Sequence, residues 1–182
     1  MLVVFWQFLS LSVAHSASII PSTYDKEFKE YALLLPFGTD WRYLKAQAWQ
    51  ESRFDPFAVS PVGARGVMQF MPATAKDMQS KYDHLDDFWL PAVSINAGAL
   101  YMRQLNNYWL SERPQEDRYK LALASYNAGA GNITKAQKKC GMAVLYDEII
   151  KCLPDVTGRH SKETIDYVEK ITVRWYNALL FE

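Results

Sequence analysis

The sequence predicts an all-α fold, a single compact helical domain, and three observations carry that prediction. Past about residue 20, apolar residues recur at helical spacing along almost the whole chain. Pro and Gly fall between those stretches, where helices begin and end. No run alternates apolar and polar residues as a half-buried strand does, and there is no internal repeat or low-complexity tract.

Ser22 is a cap for a first helix whose Phe28, Tyr31, Ala32 and Leu35 share a face, with Pro36 ending it. Thr39 or Asp40 opens a second, with Trp41, Leu44 and Ala48 as its apolar stripe. Residues 55–66 hold two prolines and two glycines and read as an irregular loop. Pro72 suits the first turn of a short helix towards Tyr82. Pro91 starts a longer one carrying Ile95, Ala99, Met102, Leu105 and Trp109. Another covers Tyr119 to Asn127 and stops at Gly129, and a last long helix begins near Ser161 with Ile165, Val168, Thr172, Trp175 and Leu179.

A chain of 182 residues fits one domain and can bury a core without obligatory staples. Apolar residues make up 49% and aromatics 14%, which argues against disorder. Lys plus Arg equals Asp plus Glu at 20 each, and no basic run offers a footprint for nucleic acid. A carbohydrate site, built from aromatic faces and neutral hydrogen-bonding groups, suits this balance.

Residues 1–17 read as a signal peptide and 18–182 as the functional domain. Leu2 to Val13 is almost continuously apolar and Ala14-His15-Ser16 resembles a cleavage site, with Ala17 as another end point. The stretch is short for a membrane span. No Lys or Arg precedes it, so a buried N-terminal helix or an uncleaved anchor stays open. Export would make a disulfide between Cys140 and Cys152 plausible, closing a short loop; two free thiols are the alternative.

Glu51 lies at helical spacing from the Trp41, Leu44 and Ala48 stripe, near the end of its helix. Burial there and the negative end of the helix dipole both disfavour its charged form, as a general acid requires. On periodicity alone it is equally a solvent-facing residue at a frayed end.

The segment Glu51 to Ala75, ESRFDPFAVSPVGARGVMQFMPATA, resembles the signature of soluble lytic transglycosylases with the lysozyme-like fold. Gly66-Val67-Met68-Gln69 is similar to the family's Gly-Leu-Met-Gln, with Val67 in place of Leu. Ser125 to Gly129 resembles Ala-Tyr-Asn-Ala-Gly, and Glu163-Thr164 with Tyr167-Val168 matches a fourth motif. Ile95 to Leu105 looks like the family's central helix. The likeness runs from about residue 40 to 180, but the stretch between Gly129 and Ser161 has no family pattern.

The resemblance implies a peptidoglycan-cleaving enzyme with its cleft at the end of the Glu51 helix and Glu51 as its single catalytic acid and base. Such enzymes protonate the glycosidic oxygen, then take a proton from the C6 hydroxyl of the same sugar, which attacks internally and leaves a 1,6-anhydro-N-acetylmuramic acid end. Substrate contacts are expected from Ser60, Gln69, Tyr126, Asn127, Glu163 and Tyr167, with Met68 as an apolar wall. Gly63 and Gly66 would let the loop turn close to substrate. No metal or organic cofactor is implied. The glycan strand is the expected partner of a monomer in the periplasm, and secretion-system or phage-assembly partners fit the same chain.

The histidines lack metal-ligand spacing, no nucleophile elbow or phosphate loop is present, and Asp55 beside Pro56 reads as a turn residue. Two other readings remain: a goose-type lysozyme relative that hydrolyses the same bond, and a peptidoglycan-binding assembly module.

Overall fold

A computed structural model describes residues 20–36 and 38–181. The leader Leu2 to Val13 and its cleavage region lie outside the described residues. Among those described, the regular structure is helical, and the extended backbone amounts to isolated bridges from Arg65 to Val59 and to Phe70.

Helix α1 spans Asp25–Tyr31 and continues as a 3₁₀ turn, Ala32–Leu34. Ser22 does not cap it: no side chain does, and the Ser22 carbonyl instead accepts from the Asp25 amide at 3.1 Å. What fixes α1 is Phe28, fully buried, and an ion pair from Asp25 to the buried Lys45 at 2.7 Å. Lys45 is tolerated there because its charge is paired.

Helix α2, Trp41–Ser52, begins at Asp40, whose carboxylate accepts from the Arg42 amide at 2.9 Å and satisfies an otherwise orphan donor. It ends in an unusual way. Arg53 (φ 57°) and Phe54 (φ 66°) are both left-handed without being glycine, which costs roughly 1–2 kcal/mol each. Their side chains supply compensation. The Arg53 guanidinium lies 4.6 Å from the Trp49 ring and 4.5 Å from the Trp175 ring, and Phe54 packs on Phe28 and edge-on to Trp49.

Pro72 and Pro91 open α3 (Pro72–Lys81) and α4 (Pro91–Tyr108). Helix α5, Gln115–Ala128, starts earlier than its apolar periodicity suggests, because its first turn is polar and acidic. Gly129, at φ 84°, ends it. This helix is the spine of the fold, packed against α4, against α6 (Ala130–Lys139) and against α9 (Ser161–Glu169).

The stretch without a family pattern folds into short pieces after α6: α7 (Tyr146–Ile149), a 3₁₀ turn, and α8 (Pro154–Thr157). A Cys140–Cys152 disulfide ties the end of α6 to the residues just before α8. The expected single long C-terminal helix is interrupted. After α9 comes a π-helical segment, Lys170–Trp175, and then α10, Tyr176–Leu180. The wider π turn brings Trp175 Nε1 to Gln50 Oε1 at 2.8 Å, and beyond it Tyr176 stacks on Tyr43 at 4.0 Å. No helix among the described residues is long and apolar enough to cross a membrane.

Candidate active site

Glu51 stands in the last turn of α2, half-buried, on the wall of a cavity of about 470 Å³. Its Oε1 accepts from the Tyr167 hydroxyl at 2.5 Å, and that hydroxyl accepts in turn from Gln47 Nε2 at 3.2 Å. With an acceptor position of the phenol already used by Gln47, its proton is directed at Glu51. Burial raises the Tyr167 pKa well above its ordinary value, so the phenol stays a donor.

Loss of hydration pushes the Glu51 pKa up to about 8, a rise that the Tyr167 hydrogen bond opposes and the negative charge of Glu163 reinforces. At neutral pH Glu51 is therefore mostly protonated. Once it has given that proton away, the carboxylate is a much stronger base than an ordinary glutamate. One group is thereby suited to both halves of a proton exchange.

The loop after α2 is bent back over the site by a set of local bonds. Ser52 Oγ donates to the Val67 carbonyl at 2.8 Å, and Ser60 Oγ accepts from the Ala64 amide at 3.0 Å. Gly66 has φ 75°, and a Cβ there would sit 2.6 Å from the Phe88 carbonyl oxygen, so only glycine lets the two backbones approach. Gln69, also left-handed at φ 49°, spends its amide nitrogen on the Ala58 and Gly66 carbonyls at 3.1 and 2.9 Å. Its side-chain oxygen is left to the cavity.

Ser60, Gln69, Tyr126, Asn127, Glu163 and Tyr167 all line this cavity together with Glu51. Tyr126 is anchored by a 2.7 Å bond from its hydroxyl to the Met68 carbonyl, and Asn127 Oδ1 accepts from Thr164 at 2.7 Å. Met68 is a correction. Its side chain is fully buried, packed into the gap left by Gly98 of α4, and cannot form a wall for substrate. Met71, 42% exposed, lines the cavity instead. Met68 is held inward by its amide, which donates to Ser94 Oγ at 3.1 Å, and by the space its side chain fills beside Gly98. Asp55 lies outside the cavity and accepts from the Phe57 amide at 2.9 Å, as a turn residue does.

Sequence reasoning missed Gln47, Gln50, Val62, Asp166 and Lys170. Gln47 lies one turn before Glu51, and Asp166 and Lys170 lie three and seven residues after Glu163, so helical spacing alone was a usable signal for them. Val62 and Gln50 carried no such signal. Three carboxylates thus line the cavity, Glu51, Glu163 and Asp166, and the last is paired with Lys162. Glu51 alone among them is held by an interior hydrogen-bond chain. No cluster of potential metal ligands occurs among the described residues.

The chain is similar to known proteins over most of its length. The membrane-bound lytic murein transglycosylase F of Shewanella sediminis is 41% identical over 173 residues, covering 87% of this chain and 34% of that protein. The chain thus spans about a third of the length of the curated relatives it matches. The 70 kDa soluble lytic transglycosylase of Escherichia coli superposes with a TM-score of 0.69 at 25% identity, over 88% of this chain and 25% of that one. An inactive mutant of the lytic transglycosylase Slt of Pseudomonas aeruginosa gives a TM-score of 0.66 at 27% identity, over 88% and 25% of the respective chains. Residues 33–143 match the transglycosylase SLT domain, so the helical body that carries Glu51 and its cleft belongs to that family.

Proposed function

We propose that this chain is a lytic transglycosylase that cleaves the β-1,4 bond between N-acetylmuramic acid and N-acetylglucosamine in peptidoglycan. The observation that carries the reading is Glu51 at the wall of an open cavity, oriented by the Gln47–Tyr167 hydrogen-bond chain and kept protonated by its loss of hydration against the pull of that chain. Glu51 donates its proton to the glycosidic oxygen as the bond to the anomeric carbon breaks. The resulting carboxylate, screened from water and basic, then accepts the proton of the C6 hydroxyl as that oxygen closes on the anomeric carbon. A 1,6-anhydro end forms and no water is consumed.

Ser60, Gln69, Asn127 and Glu163 offer hydrogen bonds to hydroxyl and acetamide groups, and Met71 with Val62 offers apolar contact. The likeness to transglycosylases of bacterial cell-wall glycan supports the substrate class. Residues 1–17 act as an export signal in this reading, and the domain from residue 18 works in the periplasm as a monomer on glycan strands.

A second reading rests on Glu163. A second carboxylate on the same cavity is what a hydrolase uses to activate water, which would make the chain a goose-type lysozyme relative that hydrolyses the same bond. Turnover of purified sacculi by the wild-type chain and by Glu51→Gln tests the assignment of the acid. Cleavage should fall by at least on the order of 10²–10⁴ in the variant. Near-native cleavage by a folded Glu51→Gln protein would rule Glu51 out.

A further inference from the structure

Tyr167 and Trp175 both reach the end of α2: the Tyr167 hydroxyl donates to Glu51, and the Trp175 indole donates to the preceding residue, Gln50. They stand eight residues apart in the chain. In a regular α-helix that separation turns the second side chain about 80° away from the first. The π segment Lys170–Trp175 absorbs one extra residue, so the turn is that of seven steps and leaves the pair within about 20° of one face. The irregular turn thus brings a second donor to the part of α2 that carries Glu51.

Gln50 lines the same cavity as Glu51. An indole N–H only donates, so the Gln50 atom it holds at 2.8 Å is the oxygen, and the amide is fixed in one sense. The Gln50 nitrogen makes no hydrogen bond among the described residues and is not sealed from solvent. Gln50 is thereby a donor at the cavity. Gln69, on the same cavity, is fixed in the opposite sense, with its nitrogen spent on the Ala58 and Gly66 carbonyls and its oxygen left over. Without such a partner a glutamine amide offers either end.

We propose that Trp175 is a positioning residue for the reaction: its N–H turns the Gln50 amide so that the Gln50 nitrogen donates to an oxygen of the bound glycan. The inference rests on the transglycosylase reading and deepens it. Trp175 does not itself line the cavity and acts through Gln50. Its ring also packs on the Arg53 guanidinium at 4.5 Å, so the donor has to be separated from the packing.

Two variants make that separation, assayed on purified sacculi at about pH 7.5, where an imidazole is mostly neutral. Trp175→Phe keeps a ring beside Arg53 and loses the donor. Trp175→His packs less well, yet its Nε2 occupies the ring position that Nε1 holds in the indole. Trp175→Phe should lose about tenfold in kcat/KM, the worth of one hydrogen bond. Trp175→His should recover most of that loss while melting at a lower temperature than Trp175→Phe. In a Gln50→Leu background, wild-type Trp175 and both variants should turn over alike. A Trp175→His protein no faster than Trp175→Phe, or a Trp175→Phe loss that persists without Gln50, would overturn the inference and leave Trp175 a packing residue. A wild-type chain that does not cleave sacculi would refute the transglycosylase reading itself, and this inference with it.

Discussion

Replacing Glu51 by Gln should stabilise the protein while abolishing its activity, and the stabilisation should depend on pH. In the unfolded chain the carboxyl ionises near 4.5, whereas the folded site raises its pKa to about 8. Below about pH 4 both states hold the proton and the group has no effect on stability. Between the two values the unfolded chain gains ionisation that the fold withholds, so the native state is penalised as pH rises, and the penalty levels off above about 8. At roughly 1.4 kcal/mol per pH unit the gap amounts to about 3 kcal/mol at pH 7, and partial exposure of the side chain lowers it to about 2 kcal/mol. Gln keeps an oxygen to accept from Tyr167 and carries no such penalty. Thermal unfolding followed by circular dichroism should show equal Tm for the two proteins at pH 4. At pH 7–8 the variant should melt about 4–8 °C higher. A Tm difference that does not change with pH, or a variant less stable at pH 8, would refute the raised pKa and with it the reason Glu51 can serve as an acid. Wild-type turnover should correspondingly decline as pH rises through about 8, as the protonated form is lost.

Gln47→Leu removes a buried acceptor that already lacks a partner, so stability should change little. It also frees the Tyr167 hydroxyl, weakens the bond that holds the Glu51 pKa down, and should move the basic limb of the pH–rate profile upward; an unmoved limb with lost activity would mean Gln47 is only structural. Gly66→Ala should cost about 3 kcal/mol or more in urea unfolding, because it adds a left-handed strain to a contact with a backbone oxygen that cannot move away. Cys152→Ser should cost about 3 kcal/mol and lower Tm by about 6–12 °C, the value of closing a loop of this length.

The fold and much of the site were legible in the sequence for identifiable reasons. Helix starts at Pro72 and Pro91, the cap at Asp40 and the stop at Gly129 are local signals that the tertiary structure leaves in place. The π segment at Lys170–Trp175 was not legible, because an apolar stripe tolerates one extra residue without an obvious break. Met68 misled for a different reason. Gln69 beside it faces the cleft, but the gap that Met68 fills depends on Gly98, thirty positions away, and such a distant packing partner leaves no mark in the local sequence. The short helices after α6 escaped notice because pieces of four residues carry almost no periodicity. What holds them is a disulfide that spacing alone left open.

Digesting sacculi in water enriched in ¹⁸O and weighing the released muropeptides tests whether the sugar's own C6 hydroxyl captures the cleaved bond. The products should end in 1,6-anhydro-N-acetylmuramic acid, lighter by one water than reducing-end muropeptides and carrying no ¹⁸O from the solvent. Reducing ends labelled with ¹⁸O as the main products would contradict it, and would give Glu163 the role of a hydrolase's second carboxylate.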